Sequence, residues 1–135
     1  MEDIRWKQRF DNFERAFILL RSSFDKEGDF SELEKEGLVQ RFEYTFELAW
    51  KTLKDYLESG GIVFEEITPR AVIKQAFESK IIKNGELWIA MLIQRNLLSH
   101  TYNQETFNKV VEKIKSEYID SLQEFYMFLK EKSFG

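Results

Sequence analysis

Apolar residues recur at intervals of three and four along almost the whole chain, and this spacing constrains the fold more than any other feature. The first run consists of six residues: Trp6, Phe10, Phe13, Phe17, Leu20 and Phe24. Such a run forms one face of an α-helix of about 20 residues. Further runs with the same spacing predict four more helices. The predicted fold class is therefore all-α, an antiparallel up-and-down bundle of about five helices.

Turn and capping residues separate the predicted helices. They lie at five places: residues 25–29, Ser31 with Glu34, Gly60-Gly61, Thr68-Pro69 and Asn84-Gly85. A serine followed three residues later by glutamate is a capping box, glycine favours the end of a helix, and proline favours the first turn. Ile62, Val63 and Phe64 have the composition of a strand, but no second strand is predicted to pair with them. The fifth helix follows Asn103.

Length and composition predict one domain, residues 1–135, with a large core. Hydrophobic residues make up 43% of the chain and aromatic residues 16%, and aromatic side chains bury large areas. We expect most of the apolar stripes to form the core, with the alternative that part of this surface serves a partner. The chain has no cysteine, which excludes disulfides, Cys-ligated zinc and thiol catalysis and suits a reducing compartment.

Charge and hydropathy limit the partners. The formal net charge is −4, which argues against sequence-blind binding to nucleic acid, although a local basic site is compatible with it. The longest apolar run, Leu87 to Ile93, has seven residues, whereas a membrane span needs about 20. The N-terminal residues are charged and lack the apolar core of a secretory signal. We therefore predict a cytoplasmic protein without a membrane partner.

Several kinds of chemistry have no counterpart in the sequence. It has no glycine-rich phosphate loop, a single histidine and thus no histidine pair for a metal, and no Gly-Ser pair with spaced aspartates as in nucleotidyltransferases. The carboxylates of Glu65 and Glu66 are best interpreted as a solvated connector. No cofactor and no metal are expected.

The segment from Arg95 to Tyr102 stands apart because polar residues interrupt a core-like helix there. Asn96 and His100 lie roughly 40° apart on a regular helix, whereas Arg95 and His100 lie roughly 140° apart. Arg95 and His100 therefore meet only if the helix loosens, or if a second subunit supplies one of them. The alternatives are structural: a histidine that caps the helix end, an arginine paired with a glutamate, and a partly buried Tyr102.

Several motifs together resemble a known family. The pattern Arg-x4-His with asparagine after the arginine, extended to His100-Thr101-Tyr102, is similar to the signature of HEPN proteins that pair with minimal nucleotidyltransferases. Three longer segments resemble the nucleotidyltransferase substrate-binding protein family: FEYTFELAWKTLKDYLESGG (42–61), TPRAVIKQAF (68–77) and GELWIAMLIQRNLLSHTYN (85–103). One departure is Gln94, where many relatives have an acidic residue.

The resemblance implies a homodimer whose two motifs face one cleft, and a metal-independent RNase toxin of a toxin–antitoxin pair. His100 would act as general base or acid, Arg95 would stabilise the transition state, and Asn96 would orient His100 or a phosphate oxygen. A minimal nucleotidyltransferase, encoded in an adjacent gene, would attach AMP to Tyr102 and thereby exclude RNA. The alternative is a non-catalytic subunit that binds a substrate or nucleotide for that partner.

Overall fold

The computed structural model describes residues 2–98, 100 and 103–134, and the regular structure in these ranges is entirely helical. Its helices are α1 (Glu2–Ser22), α2 (Glu32–Ser59), α3 (Pro69–Glu78), α4 (Gly85–Leu98), α5 (Gln104–Lys113) and α6 (Ile119–Ser133). A π-helical segment, Ile114–Tyr118, joins α5 to α6 without a break. Since α5 and α6 thus form the single long fifth helix, the predicted all-α bundle of five helices is confirmed.

Helix ends follow the local rules seen in the sequence. The Ser31 hydroxyl accepts the backbone N–H of Glu34, and the Glu34 carboxylate accepts the backbone N–H of Ser31, which completes the capping box of α2. After α2, the N–H of Gly61 donates to Glu58 and that of Ile62 donates to Leu57, with Gly61 at φ +100°. These two bonds are a Schellman motif, for which a glycine at this position is favoured.

The connector between α2 and α3 is not a strand. The segment from Ile62 to Phe64 has no regular structure, and the side chain of Val63 is 89% exposed. The hydroxyl of Thr68 accepts the N–H of Ala71 and so caps α3, as predicted.

The core is aromatic and centres on α2, which packs against α1, α3, α4 and α5. Phe13, Phe17, Phe42 and Phe46 are fully buried. The ring of Phe42 stacks on Tyr118 of the π segment at a centroid distance of 5.3 Å. Most of the apolar stripes are therefore core. Exceptions remain on the surface, and those on α4 bear on the site.

One non-glycine residue in the described ranges has a left-handed backbone: Lys80, with φ +62°. It occupies the position after the C-cap of α3, where Ile81 donates to Ala76 and Lys80 to Phe77 in a second Schellman motif. A side chain costs about 1–2 kcal/mol in this conformation.

We therefore expect Lys80→Gly to stabilise the protein by about 0.5–1 kcal/mol, since glycine relieves the strain but gains entropy when unfolded. Thermal unfolding followed by circular dichroism measures the change. The matched control is Lys83→Gly, at an exposed position of the same connector. Lys83 does not have a positive φ, so Lys83→Gly should lower the stability of the protein slightly. Equal effects of the two substitutions would contradict the assignment.

Candidate functional site

The side of α4 that faces α2 determines where Arg95 points. Its buried residues are Trp88, Met91, Leu92 and Leu98. Trp88 contacts Phe46 of α2, with ring centroids 6.2 Å apart. Arg95 lies three or four positions from Met91, Leu92 and Leu98 and therefore shares their side of the helix. The fold thus turns a guanidinium toward the core.

Arg95 is held by α2 but is incompletely paired. Its Nη2 lies 3.5 Å from Oε2 of Glu47, and its guanidinium lies 6.0 Å from the ring centre of Phe46. The side chain is 27% exposed. Its Nε is buried and has no acceptor among the described residues. A buried donor without an acceptor typically costs about 1–3 kcal/mol, so the pairing of this arginine within the described residues is incomplete.

Glu47 is fixed from its own helix. The indole Nε1 of Trp50 donates to Oε2 of Glu47 at 3.0 Å, and Nζ of Lys51 lies 3.2 Å from Oε1. The i,i+3 and i,i+4 spacings bring these side chains together on one turn of α2. The carboxylate therefore stays in place beside Arg95 whether or not Arg95 is engaged.

A second carboxylate, Glu43, lies one turn before Glu47 on α2. Burial raises the pKa of Glu43, and the nearby charge of Arg95 opposes this by lowering the pKa. Neither Glu43 nor Glu47 was a candidate in the sequence analysis. Their sequence signal, two acidic residues four positions apart, also occurs at Glu32 and Glu36 of the same helix and therefore does not single them out.

Asn96 and His100 lie apart from Arg95. Asn96 is exposed on α4, and His100 is exposed just beyond the end of α4. The backbone N–H of His100 donates to the carbonyl of Leu97 at 3.0 Å, so the chain is still turning in the helical sense at His100. Within one protomer, Arg95 thus points toward α2 while His100 lies at the exposed helix end. Tyr102, the fourth predicted site residue, lies outside the described residues.

The outward side of α4 is apolar. Ile93 is 47% exposed and Leu97 is 53% exposed, and Ile89 is partly buried one turn earlier. On a helical wheel, Ile89, Ile93 and Leu97 share one face with Asn96, and His100 follows Leu97 by three residues just beyond the helix. We call the surface formed by Ile89, Ile93 and Leu97 the α4 stripe. It adjoins the motif on the side opposite to Glu47.

Other features of the surface do not involve the motif. Five grooves on the described part of the protomer have no contribution from Arg95, Asn96 or His100. Within the same ranges no cluster of three or more His, Cys, Asp or Glu is arranged to hold a metal ion. None of the described helices is long and apolar enough to cross a membrane.

Comparison with known sequences supports the resemblance. The family model described as nucleotidyltransferase substrate binding protein like matches residues 8–131. A Haemophilus influenzae protein named probable ribonuclease HepT is 31% identical over 88 residues, which are 63% of this chain. The aligned part is 60% of that relative, so it spans less than two thirds of the relative's length.

Solved structures share the fold. A crystal structure of a Thermus thermophilus protein matches with a TM-score of 0.74 at 32% identity, over 84% of this chain and 94% of that one. A Haemophilus influenzae structure, described as revealing the fold of a substrate-binding domain of a nucleotidyltransferase, matches with a TM-score of 0.67 at 23% identity. That match covers 95% of this chain and 98% of the other. Since the family model also spans nearly the whole helical bundle, this chain belongs to the nucleotidyltransferase substrate-binding protein family.

Proposed function

We propose that this chain is a HEPN-type, metal-independent endoribonuclease that works as a homodimer beside a minimal nucleotidyltransferase, as the toxin of a toxin–antitoxin pair in the cytoplasm. The observation that carries the proposal is that the buried Nε of Arg95 has no acceptor within residues 2–98, 100 and 103–134. This arginine belongs to the motif Arg95-Asn96-x3-His100, and Leu97 within the motif is exposed and apolar. The name of the Haemophilus influenzae relative, a probable ribonuclease, supports the same activity.

The residues of the motif suit the cleavage of RNA by its own 2′-hydroxyl. The imidazole of His100 takes the proton from the 2′-OH, whose oxygen attacks the adjacent phosphorus. The bond from phosphorus to the 5′-oxygen breaks, and that oxygen leaves with a proton from a second acid. Arg95 stabilises the charge that develops on the phosphoryl oxygens. Histidine is the side chain most often used for such a proton transfer.

A dimer would supply what one protomer lacks. Arg95 faces α2 from within α4, whereas His100 lies exposed beyond the end of α4, so we expect a second subunit to bring the two groups together. The α4 stripe presents Ile93 and Leu97 beside His100, and burial of this stripe against a second copy of α4 would place two His100 imidazoles in one cleft. In that cleft the His100 imidazole of one chain acts with the Arg95 guanidinium of the other, and water supplies the proton for the leaving 5′-oxygen.

The family supports a nucleotidyltransferase partner, and we place its gene next to this one. In this proposal the partner transfers AMP to the hydroxyl of Tyr102, two residues after His100. The added phosphate would bring negative charge and bulk to the motif and so exclude an RNA phosphate.

A second candidate function is a non-catalytic subunit that binds the substrate or nucleotide for the nucleotidyltransferase. The observation in its favour is that Glu47 already neutralises Arg95 in the protomer, which weakens an RNase site. Isothermal titration of AMP and ATP into the chain and into its complex with the nucleotidyltransferase tests this function. Absence of heat in both titrations would count against it.

The RNase activity is tested with purified wild type and His100→Ala on a panel of single-stranded and structured RNAs with EDTA present. We expect cleavage by the wild type, and a loss of about 100-fold or more for His100→Ala, because one general acid or base contributes at least this much. Intact-mass analysis first confirms that Tyr102 is unmodified. Intact RNA after incubation with the unmodified wild type would refute the activity.

A further inference from the structure

Three donors surround the carboxylate of Glu47. They are Nε1 of Trp50 at 3.0 Å, Nζ of Lys51 at 3.2 Å and Nη2 of Arg95 at 3.5 Å. The first two belong to the same helix as Glu47, and only Arg95 comes from α4. The structure therefore presents a negative group, already fixed in place, to the guanidinium of the motif.

The Arg95–Glu47 contact is loose. Charge-assisted hydrogen bonds to arginine are typically about 2.7–2.9 Å long and often bidentate, whereas this contact is 3.5 Å long and joins one nitrogen to one oxygen. The oxygen is shared with Trp50, and Nε of Arg95 has no acceptor in the described part of the chain. A phosphate, which offers several oxygens in the fork geometry that arginine prefers, would satisfy more of these donors.

The charges around Arg95 nevertheless oppose a phosphate. With both carboxylates ionised, Glu43 and Glu47 cancel the charges of Arg95 and Lys51. Glu47 is partly buried, with 34% of its side chain exposed, so water and salt screen it less than they screen a surface charge. An anion that approaches Arg95 therefore meets the Glu47 carboxylate at close range.

We propose that Glu47 is an intramolecular competitor for the anion-binding position of Arg95, so that an RNA phosphate binds only by drawing Arg95 away from a carboxylate of the same protomer. The proposal rests on the proposed function only in taking an RNA phosphate as the ligand of Arg95. Glu47 then sets how tightly the resting site binds RNA, and Trp50 and Lys51 hold the competitor in place.

Glu47→Gln separates this role from a structural one. The glutamine oxygen can still accept the hydrogen bond from the Trp50 indole, so the packing of α2 is retained while the charge is removed. We expect RNA to bind about five- to tenfold more tightly, the effect of removing one like charge a few ångströms from a phosphate in a partly solvated site. In an Arg95→Ala background the same substitution should change the affinity less than about twofold, because the anion-binding group is gone.

The affinities are measured by fluorescence anisotropy with a labelled 2′-O-methyl oligoribonucleotide, which cannot be cleaved because its 2′-oxygen carries no proton. The matched control is Glu131→Gln, which removes the same charge from an exposed position on α6. Glu131 lines a groove together with Trp88, near the start of α4. The motif lies at the other end of α4. Glu131→Gln should bind within about twofold of the wild type, since a distant exposed charge is screened. Circular dichroism confirms that each variant is folded.

A weaker or unchanged affinity of Glu47→Gln would overturn the proposal, as would a gain equal to that of Glu131→Gln. Weaker binding would make Glu47 a group that positions Arg95. Absence of binding by both the wild type and Glu47→Gln would also overturn it. The RNase activity is tested independently of this competition. If Glu47→Gln binds the oligonucleotide more tightly than the wild type, but ordinary RNA stays intact with both, Glu47 is a competitor for Arg95 and the proposed cleavage is refuted.

Discussion

Leu97→Glu should convert the protein to a monomer and reduce RNA cleavage by about 100-fold or more, because each catalytic centre needs residues from both protomers. Leu97 is 53% exposed on the α4 stripe, so its replacement removes little from the protomer core. In a twofold dimer the substitution acts twice. It removes about 1 kcal/mol of apolar burial per copy, because about half of the side chain is already covered in the protomer, and it adds two facing charges. Analytical ultracentrifugation distinguishes a 16.2 kDa protomer from a species of twice that mass.

The matched control is Leu33→Glu. Leu33 is 79% exposed in the first turn of α2, where an acidic residue is compatible with the helix dipole. This variant should remain dimeric and active. If Leu97→Glu is dimeric and active, the α4 stripe is not the interface. If it is monomeric and fully active, the site is complete in one protomer.

Local rules predicted the helix ends because each rule involves only neighbouring residues. The Ser31–Glu34 capping box and the Gly61 left-handed turn satisfy backbone groups within a few positions of themselves. The strained Lys80 was not predicted, since the sequence there lacks the glycine that normally marks such a turn. The π segment Ile114–Tyr118 was also missed, because the apolar spacing of the fifth helix continues through it.

The candidate site was predicted in part. Helix geometry alone separated Arg95 from His100, and the structure turns Arg95 toward α2 and leaves His100 exposed. A glutamate partner for Arg95 was one of the structural alternatives, and the Arg95–Glu47 contact confirms it, but which glutamate would engage Arg95 was not predicted. Glu47 lies on a different helix, and a pairing between helices depends on how α2 and α4 pack rather than on any local spacing. Glu43 was missed for the same reason.

In the proposed dimer, each catalytic centre combines Arg95 of one chain with His100 of the other. Arg95→Ala and His100→Ala homodimers would each lack one of these groups at both centres. A heterodimer of the two variants concentrates both defects in one centre and leaves the other with an intact Arg95 and an intact His100. The heterodimer should therefore cleave RNA, although each of its two chains is inactive as a homodimer.

Complementation between these variants tests the shared centre most directly. The chains are co-expressed with different affinity tags, and the heterodimer is isolated by two successive purifications and assayed for RNA cleavage. Each homodimer should retain about 1% of wild-type activity or less, whereas the heterodimer should recover about half, since one of two centres is complete. A heterodimer as inactive as the homodimers, with wild-type chains active under the same conditions, would contradict a centre shared between subunits.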